Sequence, residues 1–253
     1  LSASEVNVVL DVSNDESKKV LGPWVHKLPL KIVNQENHGR AGARNRGAAE
    51  SVGDVLIFYD DDMIPDGNSL QRHLELQREN DGRLVSGAVK EDTNCATEIC
   101  EWRRYLLSKW MGEGQSPGVL NENEIGLSAA NFSIRKKIFE KLGGFDPELR
   151  DCEDFDLGVR AFFKGFDLVH DTVNTDIHEG FPSMVAYALR QREYRKAQSI
   201  LKDLRNREPF AKQYDKYFEE KKWLNKLIYF FFPGITLTWI DSGYFSFIPD
   251  RFR

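Results

Sequence analysis

Leu56-Ile57-Phe58-Tyr59-Asp60-Asp61-Asp62 joins an apolar run to three successive carboxylates, and Met63, Ile64 and Pro65 follow at once. The apolar half reads as a buried strand. Ligands of α/β sheets sit at strand ends, where these acids fall. Adjacent carboxylates repel one another, a cost that a divalent cation among them relieves, and hard oxygen ligands suit magnesium or manganese. The competing reading is a solvated acidic turn, and the position directly after a buried strand counts against it.

Upstream, Val6 to Asp11 and Leu30 to Val33 are short apolar, β-branched runs bounded by polar turn residues, and both read as buried strands. Between Gly39 and Val52 good helix formers predict a helix feeding the strand Asp54 to Tyr59. Downstream, a helix is predicted near Ser69 to Glu79, a strand near Leu84 to Val89 and a helical stretch from Thr97 to Met111. This alternation predicts an α/β fold with a mostly parallel central sheet flanked by helices. Gly112 to Gly126, rich in Gly, Asn, Glu and Pro, predicts a long surface loop of functional character.

From Pro182 onward the pattern is helical and charged, then aromatic. Two units are expected, 1–181 and a helical, aromatic-rich C-terminal extension, 182–253. Within the extension Leu227 to Ile240 is apolar, interrupted by Pro233-Gly234 and preceded by Lys221, Lys222 and Lys226. That combination is compatible with peripheral contact at a membrane surface, while packing on the rest of the chain, or against a second copy of it in a homo-oligomer, is the more common explanation.

The 253 residues can bury one sizeable core. A net charge of -5, from 35 basic and 40 acidic side chains, gives no global reason to expect nucleic-acid binding. Cys95, Cys100 and Cys152 fit neither a disulfide framework nor a paired zinc motif, which predicts a reducing compartment. No secretory leader and no spanning run is legible, so a cytoplasmic location is expected, with any membrane contact peripheral and at the inner face.

A second constellation is Gly143-Gly144-Phe145-Asp146 followed by Cys152-Glu153-Asp154-Phe155-Asp156-Leu157, which puts paired acids at the start of a helix. For Asp151 or Glu153 a capping or dipole-satisfying role competes with a catalytic one, and Asp154 is the better candidate base. His178, in Asp176-Ile177-His178-Glu179-Gly180, follows an apparent strand and is suited to complete a metal site begun by carboxylates elsewhere. The stretch Asn37 to Gly47 is Gly-rich and basic at a helix start, where amides and arginines can face phosphate; its spacing fits neither the P-loop nor the dinucleotide fingerprint. Aromatics around Trp102, Tyr105 and Trp110 read either as a ligand platform or as core.

Taken in order, Glu36-Asn37-His38-Gly39 with Ala43-Arg44-Asn45-Arg46-Gly47, the strand into Asp60-Asp61-Asp62, Gly143-Gly144-Phe145-Asp146, and Glu153-Asp154 resemble glycosyltransferase family 2. The resemblance covers roughly Val6 to Gly180. It implies a GT-A catalytic domain over 1–181 and a metal-dependent, inverting transfer of sugar from a nucleotide-diphosphate sugar, a UDP-sugar in first place, to a glycan or other hydroxyl acceptor, as in polysaccharide or glycoconjugate synthesis.

By the same resemblance Asp60 to Asp62 is the DXD motif, with Asp62 and Asp60 as ligands of Mn2+ or Mg2+ and Asp60 and Asp61 facing the donor. Asp154, with Glu153 beside it, deprotonates the acceptor, and His178 is an added metal ligand. Asp11 and Arg44 contact the donor. The family usually opens with a further strand and helix that this chain starts without, and only Asp11 stands where an acidic pair is usual. A non-catalytic nucleotide-sugar or glycan-binding module with the same fold is the alternative that these departures admit. A related sugar nucleotidyltransferase is disfavoured, since the Gly-rich, arginine-bearing loop of those enzymes is not found.

Overall fold

The computed structural model describes residues 4–12, 16–92, 98–110, 118–180 and 183–214. The chain runs through β1 (Val6–Asp11), α1 (Ser17–Leu21), β2 (Leu30–Gln35), α2 (Gly39–Glu50), β3 (Val55–Tyr59), β4 (Met63–Ile64), α3 (Ser69–Glu79), β5 (Arg83–Glu91) and α4 (Glu98–Trp110). It continues through β6 (Gly118–Val119), β7 (Asn131–Arg135), α5 (Lys136–Leu142), α6 (Glu153–Phe163), β8 (Asp167–His178) and α7 (Met184–Arg205).

The fold is α/β, a central sheet flanked by helices. Its two longest ladders are parallel: β5 with β8, from Arg83 opposite Asp167 to Glu91 opposite His178, and β1 with β2, from Val6 opposite Leu30 to Asp11 opposite Gln35. The larger sheet runs β3-β7-β5-β8-β4, with β6 also on β8. β7 enters antiparallel between β3 and β5, and β4 and β6 are antiparallel to β8. The strands predicted near Leu30 to Val33 and Leu84 to Val89 are present and run on through polar ends, because ladder bonds continue where side-chain patterning stops.

One core joins the sheet to the helices that follow it. Leu56, Phe132 and Ile134 from β3 and β7, Leu84 and Leu168 from β5 and β8, and Phe139, Phe145 and Leu157 share a single buried cluster. Each such side chain withdrawn from water contributes about 1.5–3 kcal/mol. Ala197 and Leu201 of α7 and Tyr214 bury in the same cluster, so residues 183–214 pack on the sheet-bearing part of the chain. The region Leu227 to Ile240, and with it the docking and oligomer readings, lies outside the described residues.

Local chemistry sets the helix ends. α5 stops at Gly143, whose φ of +82° is the left-handed conformation, and its last carbonyls accept from Gly143 N at 3.0 Å and Gly144 N at 2.9 Å. α7 starts on Ser183, whose side chain accepts from Ala186 N at 3.0 Å. Among the described residues no helix is long and apolar enough to cross a membrane.

Three expectations need correction. The Gly112 to Gly126 region is not all surface loop: Gly118–Val119 pair with β8, Leu120 packs against the core and Ile125 is buried in it, contacts that the polar residues around them hide from the pattern. β7 and α5 have no counterpart in the sequence reading; Asn131 and Ser133 interrupt the apolar pattern of β7 because they belong to a buried polar network with His73. Cys100 is disulfide-bonded, against the reading that found no disulfide, and Cys152 is buried.

Candidate active site

The three acids after β3 separate rather than cluster. Asp60 turns to Arg44, Asp61 is exposed, and Asp62 turns to His178. β4 pairs antiparallel with the end of β8, with Met63 opposite His178, and Glu179 N donates to Asp62 O at 2.9 Å. This brings His178 Nε2 to 3.2 Å from Asp62 Oδ2. The imidazole holds the Asp62 carboxyl below its ordinary pKa. In return Asp62, then Glu91, push His178 up to about 9 against the effect of burial. Asp62 Oδ1 is buried and has no hydrogen-bond partner.

Of the expected metal ligands Asp60, Asp62 and His178, the fold therefore joins Asp62 to His178 and sends Asp60 elsewhere. No group of three or more His, Cys, Asp or Glu side chains among the described residues is arranged to hold a metal ion. The physical reason lies with Asp60, whose carboxylate meets a guanidinium that is itself nearly buried.

That guanidinium is Arg44, on α2. Its Nη2 donates to Asp60 Oδ1 and its Nη1 to Glu153 Oε1, and it lies 5.6 Å from the centroid of the Phe145 ring. Burial works against its charge, while Asp60, Glu153 and Asp154 together stabilise it. Arg44 thus ties the acidic turn after β3 to the acidic start of α6, and its donors face carboxylates of its own chain.

Glu153 and Asp154 open α6, preceded by Cys152 at a left-handed φ of 63°. No side chain caps this helix by a hydrogen bond, so the capping role weighed for Asp151 and Glu153 is not realised in that form; the acids of the first turn still oppose the helix dipole. Burial, then the neighbouring Asp154 charge, push Glu153 up to about 7, against Arg44. Burial also raises Asp154, opposed by Arg44 and by two backbone donors, Ala129 N at 3.2 Å from Oδ2 and Phe155 N at 2.8 Å from Oδ1. Asp151 is an anchor, accepting from Arg40 at 2.9 Å and from Arg190 of α7 at 2.6 Å.

Asp11 ends β1 and is committed to the chain. Oδ1 accepts from Gln35 Nε2 and His38 N, both at 2.8 Å, and Oδ2 accepts from Gly39 N at 2.9 Å. Burial raises its pKa, and these donors more than offset that. The first amides of α2, which the sequence suggested for phosphate, are taken by Asp11. Trp102 packs edge-on against Tyr187, with ring centroids 5.1 Å apart, so it is core; Tyr105 is exposed, and the Trp110 side chain lies outside the described residues.

The sequence reading missed Glu91, Asn45, Arg103 and Arg190 as structural parts of this region. Glu91 carried a usable signal, since it too is a carboxylate ending an apolar strand. Asn45 stood within a quoted stretch, but only its partner, Phe145, makes it meaningful.

A family model described as Glycosyl transferase family 2 matches residues 2–143. Among curated relatives, a probable glycosyltransferase, YdaM, of Bacillus subtilis is 29% identical over 65% of this chain and 40% of its own length. An uncharacterized glycosyltransferase of Haemophilus influenzae is 30% identical over 60% of this chain and 50% of its own. The chain therefore spans about half or less of these relatives. Among solved structures, S. aureus TarS residues 1–349 aligns with a TM-score of 0.60 at 16% identity, covering 98% of this chain and 66% of that one. The mannosyltransferase PcManGT of Pyrobaculum calidifontis, in complex with GDP-Man and Mn2+, aligns with a TM-score of 0.59 at 19% identity, over 83% of this chain and 59% of that one. At these identities the structural likeness carries the fold.

Proposed function

Because the chain belongs to glycosyl transferase family 2, we propose that it moves a sugar from a nucleotide-diphosphate sugar onto a hydroxyl acceptor, with inversion and with a divalent cation held at Asp62 and His178. The observation that carries this reading is the bridge made by Arg44, which holds the turn bearing Asp62 beside the Glu153-Asp154 start of α6.

The residues fit a hard cation. Asp62 keeps one buried carboxylate oxygen without a partner, next to an imidazole nitrogen, a donor set that suits Mn2+ or Mg2+. When bound there, the cation offsets the negative charge that grows on the diphosphate leaving group. Asp60 contributes by fixing Arg44, and Asp61, exposed at the turn, is available to the donor.

Asp154 is the general base. Its two oxygens each accept one backbone N–H, which fixes the plane of the carboxylate and leaves lone pairs for the proton of the acceptor hydroxyl. A pKa raised by burial makes it a stronger base than an ordinary aspartate. Attack of the deprotonated oxygen on the anomeric carbon, from the face opposite the nucleotide, inverts the centre in one displacement. Glu153 holds Arg44 in place beside it.

A UDP-sugar is the donor we favour; solved relatives bound to UDP-GlcNAc and to GDP-Man support a nucleotide sugar of either base. The test is calorimetric titration of the chain with a panel of nucleotide diphosphates in Mn2+, Mg2+ or chelator, repeated on Asp62→Ala. Cation-dependent binding that the variant loses supports the site and names the base. Folded protein that binds none of the nucleotides sinks it.

A further inference from the structure

The turn that carries Asp60, Asp61 and Asp62 leaves β3 and is pinned to β8 by a short ladder, Met63 opposite His178 and Ile64 opposite Ile177. Past that ladder a side chain takes over. Asp176, on β8 and fully buried, accepts from Asp66 N at 2.8 Å through Oδ1 and from the Ser69 hydroxyl at 2.8 Å through Oδ2. The Ser69 hydroxyl lies 2.6 Å from the Tyr59 hydroxyl. Since Ser69 gives its own proton to the carboxylate, Tyr59 donates and Ser69 accepts in that second bond. Tyr59 immediately precedes Asp60, and Asp66 stands four residues after Asp62. One buried carboxylate therefore ties down the chain on both sides of the acidic turn. A polar group is costly in a core unless it is paired, and here each partner is supplied by a segment that flanks the turn.

We propose that Asp176, acting through Ser69 and Tyr59, is a positioning residue that fixes the Asp60–Asp62 turn on β8 and so holds the Asp62 carboxylate in register with His178 for a divalent cation. The inference rests on the cation site proposed above and extends it to three residues outside the acidic motif. A functional constellation works only when its members are kept within about 0.5 Å of their productive places. Asp62 has just two other ties to β8, the bond from Glu179 N to its carbonyl and its own contact with His178. Without Asp176 the chain after Ile64 is free of β8, and the hydroxyl that steadies Tyr59 loses its acceptor.

The test measures Mn2+ binding to the full chain, to Asp176→Ala and to Asp176→Asn, with UDP and separately with GDP, by the paramagnetic resonance signal of free Mn2+. Outer residues that orient metal ligands are worth about 10–100-fold in affinity, and that loss is expected for Asp176→Ala at an unchanged circular dichroism spectrum. Asp176→Asn should restore most of it. The asparagine oxygen still accepts from Asp66 N, and its NH2 is met by a reversed chain in which Ser69 accepts from the amide and donates to Tyr59. A role in folding alone would lower stability and leave the affinity of the folded protein as it is. Folded Asp176→Ala with the affinity of the parent therefore overturns the proposal, as does Asp176→Asn as weak as Asp176→Ala; both leave the cation site standing. No Mn2+ binding by the parent chain with either nucleotide overturns both.

Should Asp176→Ala fail to fold, Tyr59→Phe decides the matter, since it removes one hydroxyl and releases only the arm before the turn. Mn2+ affinity lower by about 3–10-fold supports the proposal. Affinity equal to that of the parent refutes it.

Discussion

Asn45 and Phe145, 100 residues apart, are joined by two hydrogen bonds: Asn45 Nδ2 donates to Phe145 O at 2.8 Å, and Phe145 N donates to Asn45 Oδ1 at 3.0 Å. A side-chain amide here completes the backbone of the Gly143-Gly144-Phe145 turn as a neighbouring strand would. Gly144 has a φ of +69°, and a Cβ on it would stand 2.7 Å from Asn45 Oδ1. The two stretches touch across the fold, and Arg44, the residue before Asn45, closes over the Phe145 ring on its way to Asp60 and Glu153.

Asn45→Ala strands the Phe145 amide and carbonyl together, and we expect a loss of about 2–3 kcal/mol in urea unfolding followed by circular dichroism. Gly144→Ala attacks the same contact from the other side, so the double variant loses less than the sum of the two. Full additivity would show that the two residues act independently.

Arg44→Lys keeps a charge between Asp60 and Glu153 but loses the fork that reaches both. The variant should fold, with kcat/KM for donor turnover lower by about 100-fold, since misplacement of about 1 Å at a reacting centre has that effect. Arg44→Ala leaves the buried Glu153 without its counter-charge and should cost about 3–5 kcal/mol in a thermal melt. Turnover by Arg44→Lys equal to that of the parent would remove the bridge from the catalytic argument.

The Glu153–Asp154 pair makes pH a direct probe. Glu153 titrates near 7 in the folded chain and near 4.5 when unfolded, so between those values the folded state binds more protons. Its contribution to stability is full below about 4.5 and is lost as pH rises through about 7. Glu153→Gln should flatten that part of the stability profile. Activity runs the other way: the base must be ionised, so the rate falls on acidification with a midpoint above that of an ordinary carboxylate. A midpoint at or below that of an ordinary aspartate would contradict the assignment of Asp154.

Asp156 holds α7 and the segment after it onto the core. Fully buried, it accepts from Arg160 Nε at 2.7 Å, Arg205 Nε at 2.8 Å and the Tyr214 hydroxyl at 3.1 Å. Asp156→Ala leaves those donors without their carboxylate, and a loss of about 3–5 kcal/mol is expected, with faster proteolysis near residues 206–214. Stability equal to the parent would mean that Ala197, Leu201 and Tyr214 hold the helix by apolar contact alone.

Much of this protein is determined by sequence at short range. β1, β3 and β8, the helices α2, α3, α6 and α7, and the placing of acids at the ends of β3 and at the start of α6 follow from side-chain periodicity and helix-end chemistry, which act between near neighbours. The ordered motifs likewise carry the family. Tertiary structure alone decided which acid meets which base. Asp60 met Arg44 because α2 packs beside the acidic turn, Asp62 met His178 because β4 pairs with β8, and Glu91 came to face the same imidazole through the β5–β8 register. β7 went unread because Asn131 and Ser133 are polar by pattern and buried in fact, and the hydrogen bonds that permit it come from His73 on α3 and from the Ala88 and Asn174 carbonyls of β5 and β8. Side-chain partners set by strand register and helix packing join residues far apart in the chain, and no local pattern encodes that distance.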